Sequence, residues 1–407
     1  MINKNLSPVS FFNRNPTALT AIIFLLFVFM MGINVFIHHE ASSHFVLKSL
    51  FEGKLNLNYI KHLQQYCDFS IYNEGVYSPF GIGFYATLMP FWLLLPKITF
   101  QGLTAIFFLL VSFIALYKIA IKMGLPENKS LWLLFFLASG TSIFPLVIAS
   151  NSIPSFTIQI IGFAYLTLAI LEYFYQKRFW LIGLLLMLAF LTRPPLILGS
   201  VFFILKIITE KYSLKQKIKN LSILFIPLSL GVIIFAYYNF ARFGTIFETG
   251  YQYQNVLIKN YGTNPVLLSF KNIFKNLYYF LLAPPTLIKG FPFFKPNGMG
   301  TGLLFISPVL FLTLFTLKKF KNVWISWTTV LVMSIIPLMW IDPGQWQIGY
   351  RFAVDFFPFL FLILFYFIRQ NKLSKLTFAL LVFGTLAAIS LSINDALFEW
   401  QNFIGLR

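Results

Sequence analysis

Twelve carboxylates and four histidines are all that this chain of 407 residues offers for acid–base work, and they are unevenly placed. His38, His39, His44 and His62 all fall in one early segment that also carries Glu40 and Asp68. Glu40 directly follows an apolar run, so its carboxylate would stand at a membrane surface, where restricted water favours the neutral acid and suits a general base. The alternative is an interfacial anchor shared with His38 and His39. Asp68, in the run Tyr66-Cys67-Asp68-Phe69, is the second candidate base, or a metal ligand, or a turn carboxylate. His38, His39 and Glu40 are adjacent rather than spaced i, i+4, so a helical H-E-x-x-H site is absent. A mixed site for a divalent metal ion, folded from the whole segment, stays open.

The candidate cations lie farther on. Arg193 interrupts an apolar run in FLTRPP, and a charge at membrane depth is costly enough to mark a functional site by default. Arg351 stands in WIDPGQWQIGYRFAVD, four residues before Asp355. Its fork of donors suits a phosphate or pyrophosphate oxygen, while an Arg351–Asp355 pair at i, i+4 would merely staple a helix start. Arg242, with Glu248 in FARFGTIFETGYQY, poses the same choice. Tyr350, next to Arg351, and Tyr77, in the run GVYSPF, complete the candidate substrate-binding set.

What positions these residues is a membrane. With 58% hydrophobic and 11% charged residues, the chain departs far from the soluble average. Apolar stretches near the ~20 residues needed to span a bilayer recur throughout, including 17–37, 131–149, 221–238 and 373–393. The sequence therefore predicts an all-α polytopic membrane protein with about 11–13 transmembrane helices, folded as one domain over 1–407. The net charge of +19 sits in short runs between apolar segments: Lys118/Lys122/Lys129, Lys177/Arg178, Lys206 to Lys219, Lys318/Lys319/Lys321 and Arg369/Lys372/Lys375. That pattern orients helices and contacts anionic membrane lipids rather than nucleic acid. It puts the N-terminus in the cytoplasm, behind a retained first helix rather than a cleaved signal, in a plasma or bacterial inner membrane. Nine of the carboxylates and all four histidines then face the other side. Residues 38–78 and 241–299 become long extracytoplasmic loops, rich in aromatics and so ordered, with surface helices expected at Ser43–Glu52 and Val266–Leu282. The segment Pro79–Pro96 is apolar, but a full crossing there would invert every later cluster, so it is expected at the interface or as a re-entrant element. The single cysteine excludes an internal disulfide. No P-loop, G-x-G-x-x-G or G-x-S-x-G is present.

Several motifs, taken in order, carry a resemblance. ASSHFVLKSLFEGKLNLN, DFSIYNEGVYSPFGIGFYATLMP, FLTRPP, YNFARFGTIFETGY, NGMGTGLLFISPVLF and GQWQIGYRFAVDFFP follow one another along most of the chain. In that succession the chain resembles the C-type (GT-C) glycosyltransferase superfamily, which includes protein O-mannosyltransferases and lipid A aminoarabinose transferases. The resemblance implies transfer of a sugar from a polyprenyl-phosphate donor to an extracytoplasmic glycolipid, polysaccharide or protein. A first-loop carboxylate would act as base and Arg351, Arg193 and Arg242 would lie near the donor phosphate. The family carries an Asp, often Asp-Glu, soon after its first helix. Here Glu40-Ala41-Ser42 stands nearest, so Glu40 replaces that Asp, or Asp68 has the role, or the chain is a catalytically altered relative. Two further classes use similar substrates: a transporter or flippase of lipid-linked sugars, and a surface-polysaccharide ligase or polymerase.

Overall fold

The computed structural model describes residues 42–58, 69–97, 99–150, 153–290, 293–344, 347–371 and 375–394. Glu40 and Asp68, with His38, His39, His62 and Cys67, lie outside the described residues. The described chain is helical apart from two small hairpins. In chain order these are α1 (Ser43–Phe51), the hairpin β1 (Ser70–Tyr72) and β2 (Gly75–Tyr77), then α2 (Ile82–Leu94), α3 (Phe100–Lys122), α4 (Glu127–Ser139), α5 (Ile143–Ala149) and α6 (Pro154–Tyr175). There follow α7 (Phe179–Thr192), α8 (Ser200–Thr209), α9 (Leu214–Phe243), α10 (Asn255–Tyr261), α11 (Ile273–Leu281) and the hairpin β3 (Thr286–Leu287) and β4 (Phe294–Lys295). The chain closes with α12 (Leu303–Ile306), α13 (Trp324–Met339), α14 (Phe357–Gln370) and α15 (Lys375–Asn394). Short 3-10 segments, among them Pro194–Gly199 and Arg351–Phe356, join these elements.

Among the described residues, five helical stretches are long and apolar enough to cross a membrane: 100–122, 154–175, 214–243, 351–370 and 375–392. A sixth arises if α4 and α5, bent by 54° at their junction, form one span. The remaining apolar helices have 10–17 residues. Proline accounts for much of that shortening, because the residue before it is driven out of the helical region. Pro194 does so to Arg193, whose backbone is extended (φ −148°, ψ 108°), and α7 ends there.

Side-chain contacts fix how the helices run. Gln101 Nε2 and Thr157 Oγ1 both donate to the Ser150 carbonyl, at 2.6 and 2.8 Å. Phe108 meets Tyr165 at 5.6 Å, and Tyr175 Oη donates to the Lys118 carbonyl at 3.2 Å. Hence α3 and α6 are parallel along their whole length. Gly183 abuts Leu224 and Pro227 while Gly231 abuts Met187, so α7 and α9 are also parallel. At one end of the bundle the basic clusters collect. Lys122 lies over the Tyr175 ring, and the Arg369 guanidinium sits 3.3 Å from where a Cβ on Gly124 would be. Arg178 grips Glu172 with Nε and Nη2 at 2.9 and 2.8 Å, and Lys177 holds Glu210 at 2.6 Å. Arg193, Arg242 and Arg351 stand at the opposite end.

The apolar stretch 79–96 lies across the bundle. Successive turns of α2 meet three neighbouring helices: Gly83 rests on Leu191 of α7, Thr87 bonds Tyr165 of α6 at 2.8 Å, and Phe91 packs on Phe107 and Phe108 of α3. The first surface helix forms as α1. The second is shorter than expected, because residues 266–269 are not helical and α11 begins at Ile273, after a 3-10 turn at Phe270–Asn272. Its polar side faces inward. Asn276 Nδ2 donates to the carbonyls of Pro337, Leu338 and Trp340, and Asn272 Nδ2 to that of Met339. These are the carbonyls that the end of α13 leaves without helical partners. With these asparagines so used, α11 and its flanking residues expose Phe270, Phe274 and Leu282.

Candidate functional site

The end of the bundle that holds Arg193 is recessed. α6 and α7 start from the same basic end, joined by Gln176–Arg178. With 22 residues against 14, α6 rises ~33 Å and α7 only ~21 Å. The turn after α7 therefore sits ~12 Å short of the tip of α6. Packing agrees with this depth: a Cβ at Gly162 would meet Leu196, and one at Gly199 would meet Leu166.

Into this recess come three charges from two elements. Arg193 Nε donates to Asp355 Oδ2 at 2.8 Å, with the two side chains only 16% and 2% exposed. Arg351, from the same 3-10 segment as Asp355, does not form the i, i+4 staple that the sequence left open. A 3-10 helix turns every three residues, so positions four apart no longer stack. Its Nη1 instead donates to Ser155 Oγ of α6 at 3.2 Å. Phe352 lies between the two guanidiniums, 5.1 Å from that of Arg193 and 5.2 Å from that of Arg351, and Phe156 backs Arg351 at 5.3 Å. Each arginine is thus held over an aromatic face. Among the described residues the cluster holds two cations and one carboxylate, in surroundings where charge is weakly screened.

The loop before Arg351 is tied from several sides. Gln347 Oε1 accepts from the Arg351 backbone at 3.0 Å, and its Nε2 reaches the carbonyls of Met299, Pro343 and Gly344. Asp342 accepts from the Gly344 backbone and from Tyr261 Oη at 3.2 Å. Tyr350 is buried against Phe280 and Phe352, its hydroxyl 3.5 Å from the Pro337 carbonyl, so it packs beneath the arginines.

Arg242 belongs to a different arrangement. Its Nε, Nη1 and Nη2 donate to the Tyr238 carbonyl, the Ser78 carbonyl and Asn239 Oδ1, and its guanidinium stacks 3.7 Å from the Tyr238 ring centre. It fastens the β1–β2 hairpin to the end of α9. Tyr77, on β2, packs against Phe243 at 5.4 Å in the same cluster, together with Tyr72 and Tyr253. Glu248 accepts from the Gly250 backbone and from Gln252, shaping the loop on which the hairpin rests. Tyr251, in that loop, stands within electrostatic reach of both Arg193 and Arg242.

The structure thus brings Arg193, Arg351 and Tyr350 together with Asp355, sets Arg242 and Tyr77 beside them as a scaffold, and leaves Glu40 and Asp68 outside the described residues. Among the described residues no three His, Cys, Asp or Glu side chains form a group for a metal ion. His44 Nδ1 accepts from Trp92 Nε1 at 2.7 Å, which joins α1 to α2. Sequence reasoning passed over Gln159 and the hairpin. Gln159 is fully buried on α6, with neither side-chain atom hydrogen-bonded. An amide amid apolar residues was the available signal. For the hairpin it was Tyr72-Asn73-Glu74-Gly75 between alternating residues; Asn73 and Glu74 both take positive φ, as a two-residue turn requires. No protein-family model, no curated protein and no solved structure matches the chain.

Proposed function

We propose that the chain is an integral membrane glycosyltransferase that moves a sugar from a polyprenyl-phosphate donor to an acceptor hydroxyl on the extracytoplasmic side. The observation that carries this reading is the recessed pair Arg193 and Arg351, both held against Phe352, with Asp355 beside Arg193. A lipid phosphate reaches such a site from the bilayer, and the two guanidinium forks suit its oxygens. In the reaction the acceptor hydroxyl gives its proton to a carboxylate, Glu40 or Asp68, and its oxygen bonds to the anomeric carbon. The bond from that carbon to the phosphate oxygen breaks, and the electron pair leaves with the polyprenyl phosphate. Arg351 and Arg193 offset the charge that develops there. No nucleotide takes part, in keeping with a sequence without nucleotide-binding motifs. The acceptor is a glycolipid, a polysaccharide or a protein. On this reading the basic end is cytoplasmic, and the shorter apolar helices complete a bundle of 11–13 crossings.

A second reading, transport of lipid-linked sugars, draws on the 54° break between α4 and α5, because interrupted helices line transporter sites. Transfer of labelled sugar from a panel of polyprenyl-phosphate sugars separates the two, measured in membranes holding wild type, Arg351→Ala, Glu40→Gln or Asp68→Asn at equal folded amount. The enzyme reading expects transfer that Arg351→Ala lowers at least 100-fold and that one carboxamide variant abolishes. Labelled lipid-linked sugar that crosses the bilayer unchanged, with no transfer by wild type in the presence of native acceptors, favours transport.

A further inference from the structure

We infer that Gln159 and Asp355 form a subsite that reads hydroxyl groups of the donor's sugar, an inference that rests on the polyprenyl-phosphate reading above. Gln159 is 0% exposed and Asp355 1%. Three of their buried polar atoms have no hydrogen-bond partner among the described residues: Gln159 Nε2, Gln159 Oε1 and Asp355 Oδ1. Buried polar atoms of this kind are costly unless something bonds them.

The two residues also lie at one level of two adjoining elements. On α6, Phe156 backs Arg351 at 5.3 Å and Phe163 meets Phe361 at 6.1 Å. Gln159 lies three residues after the first and four before the second, on the same helix face. Because α6 and the stretch 351–370 run side by side in the same direction, Gln159 stands level with residues 355–356. The phosphate-seeking guanidiniums lie on one side of this strip, toward Ser155 and Arg193.

The chemistry of the three atoms selects the ligand. Asp355 Oδ1 is a carboxylate oxygen and accepts only, so its partner must bring a proton. A phosphate oxygen brings none and is repelled. A hydroxyl donates to Asp355 Oδ1 while accepting from Gln159 Nε2, and a neighbouring hydroxyl donates to Gln159 Oε1. Two adjacent hydroxyls on a sugar ring meet all three demands, with the phosphate held beside them by Arg351 and Arg193.

The test measures binding to protein in lipid nanodiscs, using bare polyprenyl phosphate and a panel of polyprenyl-phosphate hexoses and pentoses. Wild type is expected to bind at least one sugar-bearing lipid roughly tenfold tighter than the bare lipid, the worth of one or two net hydrogen bonds. Gln159→Leu, close in volume and apolar, is expected to erase that preference and leave bare-lipid binding unchanged. Its thermal stability should equal or exceed that of wild type, since it removes atoms that no protein group satisfies. If wild type shows no preference for any sugar, or Gln159→Leu keeps the preference in full, the subsite is refuted while the phosphate reading stands. If wild type binds no polyprenyl phosphate at all, the donor reading itself falls, and this inference with it.

Discussion

Removing Asp355 and Arg193 together should destabilise the protein by clearly less than the sum of the two single removals. The pair meets at 2.8 Å with 2% of the carboxylate and 16% of the arginine side chain exposed. With charge centres ~4 Å apart, the attraction at an effective dielectric constant of ~20 is about 4 kcal/mol. That value falls within the ~3–5 kcal/mol by which orphaning one partner of a buried pair destabilises a protein. Asp355→Ala also takes its carboxylate partner from Arg193, on the Phe352 ring that it shares with Arg351. Arg193→Met loses the same bond and about 1 kcal/mol of contact with the Phe352 ring. If the losses were independent, the double variant would fall by their sum. Instead it removes both charges at once, and about 3 kcal/mol of that sum should be recovered, the upper range for residues in direct contact. Reversible unfolding in bicelles of wild type, the two single variants and the double variant supplies the cycle. Losses that add to within ~0.5 kcal/mol would refute the ion pair as the element that holds the recess together.

Three other perturbations act elsewhere in the frame. Gly83→Ala places a Cβ 2.6 Å from Leu191 Cβ and 2.7 Å from the Leu191 carbonyl carbon; it should cost about 1–3 kcal/mol and weaken polyprenyl-phosphate binding, since Thr192 and Arg193 follow that backbone, as thermal unfolding and a binding titration would register. Asn276→Ala strips the carbonyls of Pro337, Leu338 and Trp340 of their donor and should cost about 1–3 kcal/mol, with earlier proteolysis of 266–282 as the local readout. At the basic end, burial pushes the Glu210 carboxyl up, but hydrogen bonds from Lys177 and Tyr173 outweigh it and hold the group below its ordinary value of 4.5. The carboxylate is the form that folding favours, so this stabilisation is complete above pH 4.5 and fades as pH falls through the depressed value. Thermal stability scanned from pH 7 to pH 3 should decline in wild type, and Lys177→Met should lower the neutral plateau and flatten the decline; parallel curves would disprove the assignment.

The reach of the sequence differed from element to element. The lysine and arginine runs mark one end of the bundle, because charge is excluded from apolar surroundings wherever it stands, and Lys118, Lys177 and Arg369 do gather there. The lengths of the helices were less legible. An apolar run reads alike whether it continues or breaks, and Arg193-Pro194-Pro195 divides one such run into a helix of 14 residues, a 3-10 turn and a helix of 10. Arg351 and Asp355 illustrate the other limit. Their spacing suits a helical pair, yet the choice between α and 3-10 geometry there is made by Gln347 and the Thr301 segment, which pairs with Gly349, so local spacing carries no trace of it. Arg242 was chosen for its charge, but what determines its role is the Ser78 carbonyl 164 positions away.

The same break that shortens α7 explains why an ion pair exists here at all. Had α7 continued for the length of α6, position 193 would lie inside a helix among apolar neighbours, with no turn from which its side chain could reach another element. The two prolines stop the helix ~12 Å early and extend the backbone of Arg193, which turns the guanidinium toward the start of the 351–370 helix. That helix in turn begins as a 3-10 segment, which rotates Arg351 away from Asp355 and toward Ser155. Among the described residues one oxygen of Asp355 is then left without a partner. The two guanidiniums and the unbonded Asp355 Oδ1 together suit a ligand that carries both an anion and a hydroxyl donor, which a phosphate-linked sugar does and a bare anion does not.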